Sequence, residues 1–96
     1  MATQNLTSDG PAPDSNGFNY RSAESTFAFY GTWGGGSVTI EASFDEGLIW
    51  IPLRKLDGTI LTVAQDEVHT ISIGKCKLRY VLAGATGADI NITIKD

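Results

Sequence analysis

From residue 25 onward, apolar and polar positions alternate with a period of two, the signature of half-buried β-strands rather than helices. Phe27 and Phe29 alternate with smaller residues over residues 26–30, which predicts a first strand. Three consecutive glycines, Gly34 to Gly36, follow Trp33 and predict a turn. The cleanest strand spans residues 37–44, with Val38, Ile40, Ala42 and Phe44 on one face and Ser37, Thr39, Glu41 and Ser43 opposite. Asp45-Glu46-Gly47 is expected to turn the chain into a strand at 48–53 that is apolar on both faces. Trp50 there is expected to anchor the core, while Pro52 marks an edge or the end of pairing. Strands follow at 59–64 and 68–73, where His69, Ile71 and Ile73 share a face. The strand at 76–83 points Cys76, Leu78, Tyr80 and Leu82 inward, and the last, at 90–95, points Ile90, Ile92 and Ile94 inward.

Seven short strands spaced about 8–12 residues apart, with turn signals between them, are the pattern of an all-β domain. The expectation is a small antiparallel β-sandwich or a jelly-roll-like barrel, and no segment offers a helical stripe of useful length. Residues 1–24 differ in character. They are rich in Ser, Thr, Asn, Asp, Gly and Pro, with Leu6, Phe18 and Tyr20 as their only bulky side chains beyond Met1. So little apolar content predicts a flexible, extended N-terminal arm preceding a domain at 25–96. Such an arm is either a disordered tail or a segment that orders on a partner, with Phe18 and Tyr20 as anchors.

Composition narrows the function. Ninety-six residues allow one domain. A net charge of −4 argues against nucleic acid as a partner, since nucleic-acid binders carry a concentrated basic face. A single cysteine excludes an internal disulfide, and no apolar run reaches the length of a membrane helix. Residues 1–10 do not look like a signal peptide, so the expected address is the cytoplasm of the producing cell. Catalytic constellations are also missing from the sequence. His69 is the only histidine, Cys76 lies on an inward face, and neither finds the partners a zinc site needs. Gly34-Gly35-Gly36-Ser37 lacks the lysine and helix of a phosphate loop. Asp45 and Glu46 lack a third spaced carboxylate for calcium. No catalytic residue, metal or cofactor is therefore expected, and the chain is read as a protein that binds rather than one that catalyses.

Candidate contact residues remain. Lys75, Lys77 and Arg79 alternate, so all three are expected on one outer face. Residues 1–53 hold six acids and one base, whereas residues 54–96 hold five acids and six bases. That asymmetry fits a soluble outer sheet face, or partner contacts by charge complementarity. Tyr30 and Trp33 flank the glycine turn and fit either a contact surface or the core at a strand end.

The stretch Tyr30-Gly31-Thr32-Trp33-Gly34-Gly35-Gly36-Ser37-Val38-Thr39-Ile40-Glu41-Ala42-Ser43 resembles small β-sandwich proteins encoded among bacteriophage virion genes. The acidic-Gly turn Asp45-Glu46-Gly47, the segment Ile49-Trp50-Ile51-Pro52 and Gly74-Lys75-Cys76-Lys77-Leu78-Arg79 extend the similarity over roughly residues 27–95. The resemblance implies a non-enzymatic virion component: a capsid decoration (cement) protein, head fibre or tail-associated module. It further implies a homo-oligomer, with a trimer favoured, whose arm grips the major capsid protein. The expected location is the virion, after synthesis in the host bacterium's cytoplasm. The alternative is a carbohydrate- or receptor-binding module of a phage tail or fibre, with Tyr30 and Trp33 as its stacking platform.

Overall fold

The computed structural model describes residues 2–21 and 24–95, so Met1, Ser22, Ala23 and Asp96 lie outside the described residues. Ten strands follow one another: β1 (Ala2–Leu6), β2 (Gly10–Ala12), β3 (Phe18–Tyr20), β4 (Glu24–Thr32), β5 (Ser37–Ser43), β6 (Ile51–Pro52), β7 (Thr62–Val63), β8 (Glu67–Ser72), β9 (Cys76–Ala83) and β10 (Asp89–Lys95). All their pairings are antiparallel, and no helix occurs among the described residues.

The first sheet has the order β1-β10-β4-β8. In the second, β2 and β3 pair with successive parts of β9, Leu82 to Tyr80 and then Leu78 to Cys76. They are thus one edge strand interrupted by residues 13–17. Likewise β6 and β7 pair with different parts of β5 and form the opposite edge, interrupted by residues 53–61. Counting each split edge as one strand reduces ten strands to eight. Numbered along the chain, the two sheets then read 1-8-3-6 and 2-7-4-5. This is the strand order of a jelly roll, the second of the two architectures expected from the turn spacing.

The core is the filling between the sheets. Leu6, Phe27, Phe29, Ile90 and Ile92 come from the first sheet, and Val38, Ile40, Leu78, Tyr80 and Leu82 from the second. Every inward position predicted on β4, β9 and β10 faces this core, although Cys76 and Ile94 at the rim are only partly buried. Val38, Ile40 and Ala42 are buried on β5 as expected, but the alternation breaks at its end. Ser43 is 1% exposed and Phe44 is 66% exposed, because β5 ends at Ser43 and the chain turns outward.

The N-terminal residues depart most from expectation. Instead of a free arm, residues 2–20 supply β1, β2 and β3, and Leu6 and Tyr20 are core residues, 2% and 4% exposed. An edge strand needs few apolar side chains, because its main chain pairs on one side and one face meets solvent. Pro11 fits there because it does not require a ladder donor. Tyr20 also donates its phenolic hydrogen to Ser25 Oγ at 2.9 Å in the buried interior. The sandwich therefore includes this segment, and a boundary at residue 24 does not divide it.

The strand expected at 48–53 shrinks to Ile51–Pro52, and the one at 59–64 to Thr62–Val63. Between them residues 53–61 form a small hairpin, with Lys55 N–H donating to Thr59 O at 2.7 Å and Leu61 N–H to Leu53 O at 2.9 Å.

Candidate functional surface

The two ends of the sandwich are built differently. At one end the loops 7–9, 33–36, 64–66 and 84–88 are bonded to one another. Asp66 Oδ1 accepts Trp33 Nε1–H at 2.9 Å and Gly31 N–H at 3.1 Å. Asp9 accepts the N–H groups of Gly84 and Ala85 at 3.1 and 3.0 Å. Thr86 N–H donates to Gly34 O at 3.0 Å, and Gly34, at φ 59°, sits so close to the Thr86 main chain that a Cβ would collide with it. The carboxylates of Asp9 and Asp66 are thus engaged within the chain. Trp33 is packed against the core, so this ring is not a free stacking platform. Tyr30 is 44% exposed on the outer face of the first sheet, where its hydroxyl shares a hydrogen bond with Thr93 Oγ1 at 3.0 Å.

At the other end, residues 44–51 carry Phe44, Leu48, Ile49 and Ile51, exposed by 66, 85, 61 and 57%. The loop is not slack. Asp45 Oδ1 accepts Ser43 Oγ–H at 2.8 Å and Ile49 N–H at 3.0 Å, while Ser43 Oγ accepts Gly47 N–H at 2.8 Å. The Ile49 amide, followed by the Ser43 hydroxyl, holds the Asp45 carboxyl below the usual carboxylate range. Hydrogen bonds thus fix the loop in a shape that presents aliphatic side chains to solvent. Periodicity predicts Phe44 on the inward face of the 37–44 strand and Leu48, Ile49 and Ile51 in a two-faced buried strand; the early end of β5 at Ser43 turns them to the surface instead.

Trp50 is not a core anchor. Its ring lies on the outer face of the second sheet, with the Arg79 guanidinium 4.3 Å from the ring centroid. Arg79 Nε donates to Glu41 Oε1 at 2.7 Å and Nη1 to Ser15 O at 3.1 Å. Gly17, at φ 69°, would place a Cβ into the Leu78 carbonyl and 2.7 Å from the tip of Trp50. Trp50, Arg79, Glu41 and the 13–17 loop therefore form a clamp that fastens both split edges across the sheet. Arg79 is consequently engaged, which breaks the basic stripe expected with Lys75 and Lys77. Those two lysines instead line a cavity of about 170 Å³ at the apolar end, with Asn19, Tyr20, Arg21, Ser43, Phe44, Glu46 and Cys76. Burial raises the Cys76 thiol above its ordinary value, which keeps it protonated. Phe18 and Tyr20, the expected anchors, face inward: Phe18 packs on Tyr80 with ring centroids 5.5 Å apart.

His69 pairs with Glu67 Oε1 at 2.7 Å and packs edge-on against Phe29, with 6.1 Å between ring centroids. It borders a cleft of about 550 Å³ between β8 and the 53–61 hairpin, lined by Leu53, Leu56, Leu61, Ile71 and Ile73 among others. No hydroxyl or thiol is hydrogen-bonded to His69 among the described residues, and no cluster of three metal-binding side chains occurs among them. No family model, curated protein or solved structure matches the chain.

Proposed function

We propose that this chain is a non-enzymatic structural protein of a bacteriophage virion that decorates the capsid and bridges or stabilises its subunits. The observation that carries the proposal is the hydrogen-bonded turn after β5, which together with the start of β6 holds four large apolar side chains, Phe44, Leu48, Ile49 and Ile51, in solvent at one end of the sandwich. Exposed apolar clusters of this kind mark protein contact sites. The similarity of residues 30–43 and 74–79 to small phage virion proteins points to the major capsid protein as the partner. The jelly roll is compatible with that role, since it recurs in viral capsid and lectin domains, but a fold alone assigns no function.

The energetics favour repeated contacts. Burying one large apolar side chain completely is worth about 1.5–3 kcal/mol, so the four exposed fractions together offer about 5 kcal/mol. Association itself costs at least about 4 kcal/mol, which leaves little net affinity per copy. A homo-oligomer, with a trimer favoured, would engage several capsid sites at once and multiply that weak affinity. The arm plays no part in this mechanism, because its residues are strands of the sandwich. The alternative of a carbohydrate-binding tail or fibre module loses its paired platform, since Trp33 is engaged by Asp66 and the core.

The test is co-sedimentation of the purified chain with capsids of the encoding virus stripped of it. Wild type is expected to saturate the capsid, and Leu48→Asp with Ile49→Asp to abolish binding while leaving the fold intact. Full occupancy by the double variant would show that the contact lies elsewhere, and absence of the chain from purified virions would refute the reading.

A further inference from the structure

The cavity at the apolar end has an unusual charge. It is lined by Arg21, Lys75 and Lys77, three of the seven lysines and arginines in a chain of net charge −4, against the single carboxylate of Glu46. Among the described residues, neither the Arg79–Glu41 ion pair nor the His69–Glu67 contact involves any of these three cations. Arg79, two positions beyond Lys77 on the same face of β9, shows the contrast: Glu41 neutralises it. Three like charges gathered around one concavity repel one another, and an anion in their midst relieves that repulsion.

The fold supplies the convergence. Arg21 follows β3, Lys75 precedes β9 and Lys77 lies within it, while Ser43 and Phe44 close the wall from the end of β5. Asn19 adds an amide donor, and Phe44 adds an apolar flank. About 170 Å³ is less than the roughly 300–1,000 Å³ of a pocket that encloses a whole ligand, so the cavity suits one group projecting from something larger.

We infer that this cavity is a binding site for a single oxyanion: a carboxylate, sulfate or phosphate group. The inference rests on the cations around the cavity and not on the virion reading, so either can fail alone. Bound there, the anion accepts charge-assisted hydrogen bonds from Arg21, Lys75 and Lys77, and its carrier lies over Phe44.

The experiment is a titration of the ¹⁵N-labelled full chain with inorganic phosphate, sulfate and glucuronate, each at constant ionic strength made up with chloride. Saturable shifts at Asn19, Arg21, Phe44, Lys75 and Lys77 with any of the three support the site, and the tightest of them identifies the class of group it takes. Removing one charged donor is expected to weaken that binding about tenfold. Lys75→Gln, at an exposed position outside β9, provides this test without disturbing the sheet, and Lys77→Gln repeats it within β9. Lys95→Gln, at the end of β10, controls for loss of net charge and is expected to leave affinity unchanged. Shifts that rise linearly with all three anions, or an equal loss in Lys95→Gln, overturn the proposal.

Discussion

Replacing Leu6 by alanine separates a closed N-terminal strand from a free arm. Leu6 lies on β1 opposite Ile90 and is 2% exposed among core residues of both sheets. A buried Leu→Ala change costs about 2–5 kcal/mol through lost transfer energy and the cavity left behind. We take about 3 kcal/mol, because an edge strand can relax partly into the space. At about 4–8 °C per kcal/mol for a domain of this size, the melting temperature falls by about 12–24 °C. In urea, with a slope of about 1–3 kcal/mol/M, the midpoint drops by about 1–3 M. The matched control is Leu48→Ala, the same chemical change at a position 85% exposed. It is expected to stay within about 0.5 kcal/mol of wild type. Equal stability of Leu6→Ala, Leu48→Ala and wild type in urea and thermal unfolding refutes the reasoning, because residues 2–6 would then contribute no core.

Three further outcomes follow from the surface features. Arg79→Ala strands Glu41 and releases Ser15 O and Trp50; with the pair about a fifth exposed, the loss is near the lower end of about 1.5–3 kcal/mol, read as lower unfolding stability with red-shifted Trp emission. Under the proposed capsid-decorating role, Leu48→Asp with Ile49→Asp leaves the melting temperature nearly unchanged while removing capsid binding, a split that distinguishes a contact surface from core. The Asp45 carboxyl is held below its unfolded value of 3.8, so its stabilisation is complete above that pH and is lost as pH falls through the lower folded value. Amide exchange at Gly47 and Ile49 therefore speeds up selectively below about pH 4 relative to intrinsic rates, and Asp45→Asn removes the pH dependence.

Strand periodicity was readable wherever one face is core and the other solvent. Phe27 and Phe29, Val38 and Ile40, Leu78 and Tyr80, and Ile90 and Ile92 are buried as their alternation implies. The choice between sandwich topologies was not readable, because β1 pairs with β10 and β2 with β9 across most of the chain, and such pairings leave no local trace. Composition misled in two opposite ways. Residues 2–20 look unable to fold because each edge segment contributes so few core side chains, Leu6 and Tyr20 being the buried ones among its described side chains. Residues 48–51 look like core because apolarity reports what a side chain prefers, not whether the same chain or another covers it. The cavity cations were singled out only in part. Lys75 and Lys77 stood out by their spacing, whereas Arg21 joins them only through the jelly-roll connection that brings the end of β3 to the start of β9.

The proposed capsid-decorating role is tested most directly by electron cryomicroscopy of virions purified from the source that encodes the chain. The account predicts copies of this jelly roll on the outer capsid surface, with Phe44, Leu48, Ile49 and Ile51 buried against the major capsid protein and residues 2–20 paired within their own sandwich. A virion in which the chain is absent, or sits with that loop facing solvent and its first strand laid on a neighbour, contradicts it.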